Sequence, residues 1–277
     1  MARFRLGLGW LKPPPSTPGG VMSLGDHLRE LRYRVIVSSL AIVAMTIVVA
    51  FFYNPVYTFM LSPWVQAVEV LKVTNPNIDT QAVITGVATP LMLAIKICAM
   101  GGLVLSSPFW LYQFWAYIVP ALLAREKKWA LLFLAAAVPL FGSGVAVGYV
   151  ILPQAISVMM AFTPQSVPVL NLLEINQFLE LMLQLMVIFG LGFLMPVVVV
   201  GLNLAGVVKA TQLAKARIYV IFGTFVFGAA ATPSTDPFSM LALAIPMTIL
   251  FLLAEVICRF NDRRKLRKQR MELAVLP

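Results

Sequence analysis

The stretch Gly25–Phe52, GDHLRELRYRVIVSSLAIVAMTIVVAFF, joins ten residues rich in charge to an apolar run. From Val35 onward the run reaches roughly the 18 residues that a helix needs to cross hydrocarbon. Basic residues beside a span serve as anchors, and Arg29, Arg32 and Arg34 fill that role. Asp26 and Glu30 do not, so the acids placed among them need a separate reason.

The rest of the chain shares the apolar character. It is 60% hydrophobic and only 12% charged over 277 residues, with a mean hydropathy of +0.90. A soluble domain carries about a quarter charged residues, so the composition points to a polytopic membrane protein. The runs lack the period-two alternation of a transmembrane barrel. The expected fold is an all-α integral membrane protein with six transmembrane helices, near 35–53, 88–109, 129–152, 176–204, 217–232 and 238–258. The fifth is short and the fourth long, which a bilayer accommodates by tilt or local thinning.

Basic residues set the orientation. Six lie before Val35 (Arg3, Arg5, Lys12, Arg29, Arg32, Arg34). Three follow the second span (Arg125, Lys127, Lys128), and three follow the fourth (Lys209, Lys215, Arg217). Seven close the chain (Arg259, Arg263, Arg264, Lys265, Arg267, Lys268, Arg270). Together they are nineteen of the 21 Lys and Arg. Both termini are therefore expected on the cytoplasmic side of the membrane. The net charge of +10 follows from topology and calls for no nucleic acid. Residues 1–21, with KPPPSTPGG at Lys12–Gly20, read as a disordered cytoplasmic arm. Residues 22–258 form the membrane domain, and 259–277 form a basic cytoplasmic tail. That tail serves either anionic lipid or topology alone.

On the outer side, residues 54–87 contain an amphipathic piece near Val56–Leu71, expected at the interface with Tyr57 and Trp64 at headgroup level. Residues 153–175 also read as partly interfacial. TPSTDP at Thr232–Pro237 reads as a tight turn in which Asp236 is a turn or cap residue.

Metal and nucleophile chemistry find no foothold. Cys98 and Cys258 lie in apolar runs and read as packing residues, and His27 is the single histidine. No GxSxG, HExxH or phosphate-binding glycine loop is present. No cofactor is expected, and an enzyme is disfavoured.

Asp26, Glu30 and Arg34 fall at i, i+4 and i+8 and share one helix face. Leu24, Leu28, Leu31 and Val35 share another. Two readings stand: a salt-bridged lead-in helix, or a cytoplasmic-surface acid that receives a basic ligand. A second acid, Glu126, lies on the same side beside Arg125, Lys127 and Lys128. It follows an aromatic stretch, SPFWLYQFWAYIVP (Ser107–Pro120), with helix-bending Pro108 and Pro120. Acids are unnecessary for positive-inside topology, so two of them suggest a pocket for a cationic peptide, since carboxylate and guanidinium pair strongly. Inside the second span, Lys96 either snorkels outward or faces the bundle and pairs. Glu180 and Gln184, one turn apart early in the fourth span, face outer water or line a polar recess. Glu255 is expected at the interface.

The motifs HLRELRYR (His27–Arg34), LSSPFWLYQFWAYIVPALLAREKK (Leu105–Lys128), ATPSTDPFS (Ala231–Ser239) and LAIPM (Leu243–Met247), with Pro90 and Ile95-Lys96, occur in this order on six spans. In this the chain resembles the TatC family, the polytopic core of the twin-arginine protein translocase, over nearly all of residues 22–260. The resemblance implies a concave, glove-like bundle that binds twin-arginine signal peptides at its cytoplasmic face. It implies single-span TatB-like and TatA-like partners, a higher-order oligomer, and export of folded proteins driven by the proton-motive force. It carries signal-peptide contact to Glu30 and Glu126, with Arg32, Tyr117 and Pro108 at neighbouring motif positions. Lys96, Glu180, Gln184 and Asp236 remain as structural or partner-contact residues. One departure stands out: the glutamate that many members carry in the fourth span is Leu194 here, within Phe193-Leu194-Met195-Pro196. A small-solute carrier is the competing class, yet the chain shows no internal repeat and few interior charges.

Overall fold

The computed structural model describes residues 24–74, 79–118, 127–161, 170–231 and 237–274. Its elements are α1 (Leu24–Phe51), α2 (Tyr53–Thr74), β1 (Asp79–Val83), α3 (Thr89–Leu105), α4 (Ser107–Ile118), α5 (Lys127–Ala161), β2 (Leu170–Glu174), α6 (Ile175–Leu204), α7 (Ala210–Ala231) and α8 (Pro237–Ala274). Five helices, α1, α5, α6, α7 and α8, are long and apolar enough to cross a bilayer. The pair α3 and α4, bent by 58° at Ser106, brings the number to six if it counts as one span. The helical membrane fold and its span count follow the hydropathy. The edges differ. Helix α5 continues through Pro153 to Ala161, and α8 continues from the last span to Ala274, so the basic segment after Cys258 is helix. The arm 1–21 and most of the turn at 232–236 lie outside the described residues, as does Asp236.

The outer loop 54–87 holds more order than the sequence suggested. Pro55 sits in the first turn of α2, where its missing N–H costs nothing. Beyond α2, β1 pairs with β2 in a short parallel ribbon, with Asp79 opposite Leu170 and Val83 opposite Glu174. Thr85 Oγ1 donates to Glu174 Oε1 at 2.6 Å just past it.

The described chain clusters into two compact units. One comprises Met1–Phe51 with Cys98–Val138. In it α1 lies close against the second half of α3. A methyl at Gly101 would meet Val49, and one at Gly102 would collide with the Thr46 side chain and backbone. Such close approach is how helices gain contact where lipid removes the hydrophobic drive.

The other unit comprises Phe52–Ile97 with Pro139–Pro277. Here α5 presents Gly144 and Gly148, one turn apart, to α6. A side chain at Gly144 would strike the Phe189 carbonyl, and one at Gly148 would press on Met186. Gly190 of α6 accepts the Phe141 ring in return. Pro63 lies inside α2 and cannot donate to the Phe59 carbonyl four residues back. Tyr149 of α5 supplies the missing donor, its hydroxyl 2.8 Å from Phe59 O, with the two rings stacked at 4.6 Å. Ser62 Oγ joins the cluster 2.6 Å from Tyr149 Oη. Trp64 departs from its expected headgroup position: it is buried, its ring edge-on to Phe178.

The α6–α7 connection shows why a short polar turn is stable there. Gly206 adopts φ +82, the left-handed conformation that ends a helix at least cost to glycine. Val207 N–H donates to Leu202 O and Gly206 N–H to Asn203 O, the reciprocal pair that closes the α6 C-terminus. Asp262 of α8 then accepts from Ala210 N–H at 2.8 Å, capping α7, and from Asn203 Nδ2 at 3.0 Å. Asn203 is almost fully buried. It also donates to Val208 O and accepts from Asn261. Lys265 Nζ takes the Asn203 and Leu204 carbonyls, a favourable place for a cation. The Cys258, Phe251, Leu213 and Ala210 side chains pack beneath.

Two outcomes follow for purified protein in detergent. Gly144→Val, which wedges α5 from α6, lowers stability by roughly 1–3 kcal/mol or more, read as a drop in the thermal midpoint. Asp262→Ala strands the Ala210 and Asn203 donors and costs about 1–3 kcal/mol, whereas Asp262→Asn, which keeps one acceptor, loses less.

Candidate functional site

Helix α1 brings Glu30 against α4 within the first unit. The i, i+4 spacing read from the sequence is realised as an ion pair. Glu30 Oε1 accepts from Arg34 Nε at 2.9 Å and from Arg34 NH2 at 2.5 Å. The remaining Arg34 nitrogen, NH1, donates to Gln113 Oε1 of α4 at 3.1 Å. One guanidinium is thus shared between an acid on its own helix and an amide on the next.

Glu30 itself is 5% exposed. Its other oxygen, Oε2, is buried and has no hydrogen-bond partner among the described residues. A carboxylate offers about four acceptor positions. Oε1 has two of them filled and Oε2 none. A buried acceptor left empty costs free energy that a donor would recover. A single oxygen at that place, facing no partner, is suited to an N–H from outside the described chain.

One turn before Glu30, His27 stacks on Tyr117 of α4 with ring centroids 4.4 Å apart. Trp115 lies between Gln113 and Tyr117 in sequence. It is buried against Phe133, and its indole N–H has no acceptor among the described residues. Glu30 and Tyr117 are therefore brought onto one face, and Arg34 and Gln113 belong to it as well. Arg32 is exposed, two residues from Glu30 and so near the opposite side of α1. Pro108 stands in the first turn of α4, just past the bend, where Ser106 O receives Phe109 and Trp110 N–H. It precedes Tyr117 by about 13 Å along an ideal helix, so it shapes the bend. Glu126 lies outside the described residues.

The second candidate group is in the other unit. Lys96 Nζ meets Glu180 Oε2 at 3.0 Å, with both side chains about two-fifths exposed. Of the two readings open for Lys96, the paired one holds, and Glu180 is engaged by it. Gln184 is exposed one turn further along α6. Leu194 is buried beside Phe193, consistent with an apolar side chain there.

Two residues in the sequence gave no sign of their roles. Glu255, expected at the interface, is 2% exposed. It is forked by Arg217, with Nε and NH2 at 3.0 and 2.7 Å, and capped by Arg259 at 2.5 Å. Gln113 carries no local signal, because its partner Arg34 lies 79 residues away. The only hint was an amide amid an aromatic run.

Comparison with known proteins bears on what this arrangement is for. The profile described as Sec-independent protein translocase protein (TatC) matches residues 26–246. The Sec-independent protein translocase protein TatC of Frankia casuarinae is 35% identical over 251 residues, covering 89% of this chain and 68% of that protein. That of Aquifex aeolicus is 32% identical, covering 88% of this chain and 98% of its own. A crystal structure of the twin-arginine translocase receptor TatC in DDM superposes with a TM-score of 0.70 at 31% identity, covering 84% of this chain and 99% of that one. The chain belongs to the TatC family, multi-pass membrane components of the Sec-independent protein translocase.

Proposed function

We propose that this chain is the receptor core of a twin-arginine translocase and that Glu30 accepts an arginine of the signal peptide. The observation that carries the reading is the buried Oε2 of Glu30, which has no hydrogen-bond partner among the described residues. A guanidinium presents planar N–H donors that match a carboxylate oxygen and is weakly hydrated, so it enters a dry site at lower cost than an ammonium. Glu126 supplies the second acid and Tyr117 lines the surface beside Glu30, while Pro108 shapes the bend before α4 and Arg32 contributes from the other side of α1. The basic residues gathered before α1, after α4 and along the end of α8 support a reading in which both termini and this site face the cytoplasm.

In this reading single-span TatB-like and TatA-like subunits assemble with the chain into a larger complex, and folded proteins cross at the expense of the proton-motive force. The Lys96–Glu180 pair, Gln184 and Asp236 contribute to the outer half or to partner contact, while Leu194 removes the polar group that many members carry in the fourth span.

The test is a titration of the detergent-solubilised protein with a labelled signal peptide carrying Arg-Arg and with its Lys-Lys variant. Arg-Arg binds about tenfold or more tighter, equivalent to roughly 1.4 kcal/mol or more. Glu30→Gln and Glu126→Gln each erase most of that difference. Equal affinity for the two peptides in the wild-type protein contradicts the proposal.

A further inference from the structure

Glu30 is not a free acid. Among the described residues its ion-pair partner is Arg34, held by two donors on Oε1 and by a third on Gln113. Arg34 is itself largely buried, at 18% side-chain exposure against 7% for Glu30. The two form a neutral pair with one unused oxygen. An ordinary ligand-binding carboxylate would attract any cation. This one has its charge cancelled in place and retains only directional acceptor capacity.

We infer that Arg34 is a resident guanidinium that sets the specificity of the site. By neutralising Glu30 it makes the site select for donor geometry over charge. The inference rests on the receptor reading above. A lysine ammonium is a compact, strongly hydrated point charge. It gains its binding from net charge, so beside a neutral pair its lost hydration is not recovered. An arginine offers several N–H groups in a plane and sheds water more readily. It fills Oε2 alongside Arg34, and the surplus positive charge it brings must be met by a second acid outside this pair. Gln113 keeps Arg34 from following the ligand, because its amide oxygen holds NH1 from the neighbouring helix. Arg34 and Gln113 are thus positioning residues, acting on the ligand through Glu30.

The experiment uses full-length protein in detergent and the same Arg-Arg and Lys-Lys peptides, at two salt concentrations. Arg34→Gln returns a net negative charge to Glu30. The Lys-Lys peptide then binds about tenfold tighter, the Arg-Arg preference shrinks towards unity, and Lys-Lys binding becomes steeper in salt. Arg34→Lys keeps the neutralising charge and retains the wild-type preference. The double variant Glu30→Gln with Arg34→Gln removes a neutral pair and leaves Lys-Lys affinity within about twofold of wild type. Such a paired replacement is tolerated better than loss of one buried partner, so it reports even if Arg34→Gln does not fold. The inference is overturned if Arg34→Gln weakens both peptides equally, if Arg34→Lys loses the preference as Arg34→Gln does, or if the double variant binds Lys-Lys about tenfold more weakly. Absence of any Arg-Arg preference in the wild-type protein instead overturns the receptor reading, and this inference with it.

Discussion

Hydrocarbon offers no hydrogen-bond partners, so every polar group that a membrane chain buries must be answered from within the chain or by a ligand. The devices of this structure answer that demand one by one. Pro63 frees the Phe59 carbonyl, and Tyr149 reaches across from α5 to take it. The open ends of α6 and α7 are closed by Gly206, Asp262 and Lys265. Glu255 is buried, and two arginines surround it. Lys96 meets Glu180. Thr224, buried on α7, lies 3.1 Å from Thr248 on α8.

Against this background the exceptions carry information. Among the described residues, three buried side-chain atoms lack a partner: Glu30 Oε2, Trp115 Nε1 and Asn176 Oδ1. Only Glu30 Oε2 belongs to an ionisable group, and only it sits beside a guanidinium already in place. A carboxylate satisfied on one oxygen and empty on the other is a poor structural element and a good acceptor. That distinction separates it from Glu255, which has both oxygens engaged and so reads as scaffold.

Much of this was legible in the sequence wherever the signal is local. The spans follow from hydropathy, and the Glu30–Arg34 pair from i, i+4 spacing. The contacts that finish the site come from far along the chain. Gln113 reaches Arg34 across 79 positions and Arg217 reaches Glu255 across 38, and neither spacing has a local signature. The β1–β2 ribbon lacks a local signature too. DTQAV and LNLLE are five residues each, and their parallel pairing depends on leading into α3 and α6. Trp64 misled because an amphipathic helix beside a span reads as interfacial, whereas here its indole packs against α6.

The central claim is direct contact between Glu30 and one arginine of the ligand. A double-mutant cycle tests it, pairing Glu30→Gln with replacement of each peptide arginine by norleucine, which keeps an unbranched side chain and removes the N–H donors. The account predicts a coupling of about 1–3 kcal/mol for one arginine and near zero for the other. Additive losses for both arginines would mean that Glu30 acts on the protein's own helices and not on the ligand.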